Sequence, residues 1–163
     1  MKPITRRALA AATAVAALRG HDDDAIPALD RSTSIHGAAE PFAVAGYRMG
    51  EAALAALGLG RASEDLEVVH YSPRQRQFSS IVDGLQAATG ASLGQWNLPL
   101  VEAKAGPTAS VVRNKRTGQS VRLMLLPGFV KEYAGLPAAA RAAAASRLTG
   151  VAPAHIFTLT RIG

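Results

Sequence analysis

Apolar positions along the chain follow two rhythms, and their succession sketches a fold. Val44, Tyr47, Met49, Ala52, Leu54 and Leu57 recur near the 3.6-residue period of a helix face, predicting a helix over 42–57 that Gly58 and Gly60 stop. Phe78, Ile81, Val82 and Leu85 repeat that spacing and predict a second helix over 78–88, ended by Thr89-Gly90. An alanine-rich stretch over 137–148, opening on Pro137, predicts a third. Asp30 or Ser32 can cap a short helix over 30–35. Strands are predicted over 65–71, 97–103, 108–114, 119–126 and 156–161, with Ser72-Pro73 ending the first of them. Thr117-Gly118 turns the third into the fourth as a hairpin. Strand and helix do not alternate regularly, which argues against a doubly wound sheet. The expected architecture is α+β, an antiparallel or mixed sheet with helices packed on one side.

Composition narrows the chemistry. Apolar residues make up 48% of the 163, but alanine supplies much of that share, leaving larger side chains for one core and not for two. Cysteine is absent, so no disulfide, thiolate zinc site, iron–sulfur cluster or cysteine nucleophile is available. Aromatics are 5%, too few for a base-stacking platform. The net charge is +6, but Lys2, Arg6 and Arg7 supply three of those charges, and the rest are scattered. Arg113 to Gly118 reads as a solvated hairpin tip, so nucleic-acid binding is only a remote alternative. No Gly-x-Ser-x-Gly elbow, phosphate-binding P-loop or His-Glu-x-x-His motif occurs.

The first 24 residues read as an appendage. A basic start precedes an apolar run over 8–18, followed by the polar Arg19-Gly-His-Asp-Asp-Asp24. This is the shape of an export signal, with Arg6-Arg7 in the place of a twin-arginine pair. The run is shorter than the roughly 20 residues a membrane span needs, so no span is expected. The expectation is a periplasmic or secreted protein whose domain covers 25–163, with a cytoplasmic Ala-rich helix as the alternative.

Several polar motifs stand out in the domain. His36-Gly-Ala-Ala-Glu40-Pro41 leads into a helix carrying Gly46-Tyr47-Arg48-Met49-Gly50. Asp83-Gly84-Leu85-Gln86 is followed by Thr89-Gly90 and Gly94-Gln95-Trp96-Asn97, then by the hairpin over 113–126. Four residues apart at a helix entrance, His36 and Glu40 can face one pocket as an acid–base pair. Asp83 and Gln86, three apart, project from one helix face. His70 and His155 are expected to be structural or solvent-exposed, and Trp96 is expected to pack.

Taken in order, these motifs and the tail with Ala154-His-Ile-Phe157 resemble the FmdE family, named for a component of formylmethanofuran dehydrogenase. That family typically carries His-Gly-His-x-Cys-Pro-Gly before a Gly-Tyr-Arg-Met-Gly helix, and further cysteines around its Asp-Ala-Ile-Gln helix. Here the second histidine becomes Ala38, and the three cysteines become Glu40, Ser80 and Ala91. The resemblance implies a homodimer with its site near the contact between protomers, and adds Ser80 and Asn97 to His36, Glu40, Asp83 and Gln86 as expected ligand-binding residues.

It does not confer formylmethanofuran chemistry, because a fold does not carry a reaction. A structural zinc takes four ligands and a catalytic one three plus water, so no metal and no cofactor is expected. A hard divalent cation on His36 and Glu40 is the alternative. The expected function is a small-ligand- or partner-binding accessory module that has lost the family's thiolate metal site. An enzyme using His36 and Glu40 on a small polar substrate is the second reading, and no catalytic residue is assigned.

Overall fold

The computed structural model describes residues 28–104 and 108–163. The expected export signal over 1–24 lies outside the described residues. Ten elements follow one another: α1 (Ala28–His36), α2 (Pro41–Leu57), β1 (Leu66–Ser72), α3 (Arg76–Thr89), β2 (Leu100–Glu102), β3 (Ala109–Asn114), β4 (Ser120–Leu125), α4 (Pro127–Tyr133), α5 (Ala138–Leu148) and β5 (Phe157–Ile162).

The five strands form one sheet in the order β2-β1-β3-β4-β5. β1 and β2 run parallel, because α3 carries the chain back between them, and every other pair is antiparallel. The sheet is therefore mixed, and the fold is α+β. Period-2 alternation divides its faces. Leu66, Val68, His70 and Ser72 of β1 are buried with Val112, Val121 and Leu123 of the neighbouring strands. Tyr71, Arg113 and Arg122 stand on the opposite face and are exposed. The helices cover the first face, where Phe42, Met49, Ile81, Leu85 and Leu148 complete the core.

Two helices approach each other unusually closely. A Cβ at Gly84 of α3 would overlap the Ala43 carbonyl oxygen of α2, and one at Gly46 would overlap the Ile81 carbonyl oxygen. Backbone rests on backbone along this seam, and only glycine permits that. The Gly-Tyr-Arg-Met-Gly motif thus has a packing origin. Its other members add contacts of their own, Tyr47 along the same seam and Arg48 toward α5. Tyr47 is buried against Ala87 and Ala88, while Arg48 donates to the Thr149 carbonyl at the end of α5 and lies 3.7 Å from Glu51. Burial, then the nearby Glu51 carboxylate, pushes the Tyr47 phenol up.

Three elements differ from the sequence expectation. The strand expected over 97–103 shortens to Leu100–Glu102, because Pro99 has no N–H to give to a ladder. The parallel pairing still begins earlier, since Asn97 and Pro99 accept from the N–H groups of Val68 and His70. Helix α4 was not expected; it opens on Pro127 and buries Phe129 against Phe42, with ring centroids 5.4 Å apart. Trp96 does not pack. It is 93% exposed and holds a left-handed conformation (φ +57°) at the end of a short 3-10 turn.

Candidate functional site

Helix α1 ends on His36, and Gly37 (φ +83°) reverses the chain toward α2. Glu40 then takes the extended N-cap position ahead of Pro41. Glu40 does not cap its own helix. Its Oε1 accepts instead from Arg141 Nη1 of α5 at 2.9 Å, while Arg141 Nε donates to the Leu136 carbonyl at 2.9 Å. The guanidinium is thereby fixed at two points, and the carboxylate, 16% exposed, keeps a charged partner.

His36 is held just as firmly. Its side chain is 7% exposed, and Nδ1 donates to Asp83 Oδ2 of α3 at 2.7 Å. With Nδ1 committed to Asp83, Nε2 is the ring nitrogen left without a hydrogen-bond partner among the described residues. The α2–α3 seam makes this geometry possible, since Gly84 sits next to Asp83 and sets the depth at which α3 docks. Ser80, one turn before Gly84, is buried and donates to the Gln77 carbonyl at 2.8 Å.

These groups enclose a pocket of about 150 Å³ lined by His36, Glu40, Ser80, Arg76, Tyr133 and Arg141, among others. Burial, then the neighbouring Glu132, pushes the Tyr133 phenol up, so its hydroxyl remains a donor at neutral pH. Two guanidinium groups, a phenol, an imidazole and a carboxylate thus face a volume that fits only a small molecule.

Of the expected site residues, His36, Glu40 and Ser80 line the pocket, and Asp83 orients His36 from behind. Gln86 and Asn97 are not among the lining residues. Asn97 pins the 92–97 turn instead: its Oδ1 accepts from the Ser92 N–H at 2.9 Å, and its Nδ2 donates to the Leu66 carbonyl at 3.5 Å. Sequence reasoning missed Arg76, Tyr133 and Arg141. Arg141 did carry a signal, as a lone charge inside a run of alanines.

The donor set does not suit a metal ion. Glu40 is neutralised by Arg141, the His36 nitrogen nearest a carboxylate is committed to it, and the Ser80 hydroxyl is spent on a backbone carbonyl. Among the described residues no three His, Asp or Glu side chains come together as ligands. Nor is any described helix long and apolar enough to cross a membrane.

His70 lies outside this pocket and has a different role. It is fully buried on the helix-facing side of β1. The Phe78 carbonyl can only accept, so Nε2 carries the hydrogen and donates to it at 3.2 Å. Nδ1 accepts from the Ser110 hydroxyl at 2.8 Å. Burial lowers its pKa to about 4, which keeps the ring neutral and structural.

Comparison with known proteins places the fold. No curated protein matches the chain. A crystal structure of a tungsten formylmethanofuran dehydrogenase FmdE-like protein from Syntrophus aciditrophicus superposes with a TM-score of 0.58 at 19% identity, covering 82% of this chain and 69% of that one. At that identity the likeness speaks for the fold alone. The family model described as FmdE, molybdenum formylmethanofuran dehydrogenase operon, matches residues 35–152, a span that runs from the end of α1 to beyond α5. Matched over more than half its length, the chain belongs to the FmdE family.

Proposed function

We propose that this FmdE domain is a small-ligand-binding accessory module that works without the thiolate metal site of its relatives. The observation that carries the reading is the pocket in which His36 and Glu40 are each held by an ionic partner, Asp83 and Arg141, with Arg76 and Tyr133 facing the same space. Fixed donors around about 150 Å³ favour a compact polar molecule, such as a small hydroxycarboxylate, whose carboxylate meets the guanidinium groups and whose hydroxyl meets His36 or Glu40.

Glycolate, titrated into the full chain and followed by ligand-observed NMR, is a suitable probe. We expect saturable binding that Arg141→Ala and His36→Ala each weaken by about tenfold, the loss expected for a hydrogen bond to a charged group. Arg141→Ala also leaves the Glu40 carboxylate without its partner, costing about 1 kcal/mol of stability after allowance for the exposure of Arg141. Glycolate affinity unchanged in both variants would remove the reading.

One observation favours a second reading. A histidine oriented by a carboxylate at 2.7 Å is the arrangement of a general base, with Nε2 as the reacting atom. Turnover of the ligand that is lost in Asp83→Asn while binding persists would put the enzyme first.

Two further parts of the proposal concern assembly and location. Tyr71 and Val101, exposed on the helix-free face of the sheet, support a homodimer, and elution as a monomer in sizing chromatography would exclude it. Export is tested by the native protein: a mature chain that keeps Lys2 through Arg7 and fractionates with cytosol would rule it out.

A further inference from the structure

A second cavity lies on the other side of the α3 start. It is a groove of about 370 Å³, lined by Ser72, Arg74, Arg76, Ser79 and Glu102, among others. Ser72 ends β1 and Glu102 ends β2, and the two are register partners in the parallel pair. The groove therefore opens at the carboxyl ends of two parallel strands, where the connecting helix begins. In open sheets this is the place at which strands diverge from their loops and leave a crevice.

Its polar groups are not satisfied in the way those of the first pocket are. Ser72 is 2% exposed, and its Oγ has no hydrogen-bond partner among the described residues. A buried hydroxyl without a partner costs about 1 to 3 kcal/mol, and because Ser72 lines this groove, an occupant that reaches the hydroxyl would relieve that cost. Helix α3 is fourteen residues long, and its N-cap Gln75 makes no side-chain cap, so the Arg76 and Gln77 N–H groups are open. Arg74 and Arg76 flank them, and neither forms an ion pair among the described residues. Ser79 does not contribute a hydrogen, since its hydroxyl donates to the Arg76 carbonyl at 3.1 Å. Against two guanidinium groups stands one carboxylate, Glu102.

We propose that this groove binds the phosphate group of a small soluble phosphomonoester, with Ser72 as the buried donor, Arg74 and Arg76 as the charges and the start of α3 completing the cradle. A phosphate presents three strong acceptor oxygens, which suits donors arriving from three directions better than the two oxygens of a carboxylate do. Glu102 limits the affinity. The site is separate from the glycolate pocket in every lining residue discussed except Arg76.

The test titrates inorganic phosphate into the full chain at constant ionic strength and follows backbone amide NMR shifts. Saturable shifts at the Arg76 and Gln77 amides are expected, with Ser72→Ala and Arg74→Gln each weakening binding about five- to tenfold. Ser72→Ala should fold at least as well as the parent, because it deletes an unpartnered group, and Arg74 lies on an exposed turn. Glu102→Gln should tighten binding about two- to fivefold by removing a like charge.

Five results would each overturn the proposal. One is a shift that grows without saturating. Another is phosphate affinity indifferent to both Ser72→Ala and Arg74→Gln. Malonate binding more tightly than phosphate is the third. The fourth is retention on phosphatidate-containing vesicles without any response to inorganic phosphate. Affinity lost in Arg141→Gln but kept in Ser72→Ala would move the anion to the first pocket, with the same consequence.

Discussion

The α2–α3 seam and the 93–97 turn use their residues in opposite ways. In the seam, Gly46 and Gly84 have no side chains to contribute, yet backbone contacts backbone and the His36–Asp83 pair is fixed as a result. In the turn, Leu93 and Trp96 are large and apolar, yet they are 68% and 93% exposed. Size and hydrophobicity thus say little about architectural weight here. What decides is whether a position lies between two elements that must touch, and a missing Cβ can matter more there than an indole at a rim.

The largest effect should come from filling the seam. Gly84→Ala places a methyl where a carbonyl oxygen already sits, and neither backbone can yield without shifting a helix. Urea unfolding should show a loss of more than about 3 kcal/mol, beyond ordinary overpacking, since no side-chain rotamer can relieve the overlap. A midpoint equal to the parent's would mean that the helices are not locked, and the contrast with the turn would collapse.

A smaller and pH-dependent effect should come from His70, between the seam and the sheet. Its folded pKa of about 4 lies below the 6.5 of an unfolded histidine, so the unfolded chain takes up the proton first. The stabilisation is fully present above pH 6.5, declines as pH falls, and levels off below about pH 4. The whole change is on the order of 3 kcal/mol, of which about 2 kcal/mol is lost between pH 7 and pH 5. Denaturant melts across that window check it, and His70→Gln should flatten the slope; an equally steep slope in that variant would assign it to other groups.

The smallest effect belongs to the turn. Trp96→Gly removes an exposed indole from a left-handed backbone that glycine adopts without penalty, so stability should stay level or rise by up to about 1 kcal/mol. The fluorescence of the parent should match free indole in water and remain unquenched by the fold. A blue-shifted emission, or a destabilised glycine variant, would show that the turn is packed after all.

Much of the fold was legible because its signals are local. The α2 and α3 periods, their glycine stops and the Thr117-Gly118 hairpin depend on neighbours in sequence, and the structure realises each. The candidate site was half legible. His36, Glu40, Ser80 and Asp83 come together because they lie on α1, α2 and α3, which pack side by side. Tyr133 and Arg141 reach the same pocket from α4 and α5, about a hundred residues beyond His36 and Glu40, and no spacing rule spans that distance. Trp96 misled for a related reason, since hydrophobicity predicts burial only where a partner surface exists, and here a turn faces solvent. Helix α4 was hidden by length: seven residues carry barely two periods of pattern.

Arg76 belongs to the walls of both cavities. A guanidinium has five N–H donors in one plane, and an anion that grips it in fork geometry claims two of them while drawing the charge toward itself. Were both proposed ligands to bind, occupancy of one cavity would change the free energy of filling the other, and thermodynamic linkage would make that change identical whichever ligand is added first. A single side chain would then couple the two proposed binding equilibria without moving an element of the fold.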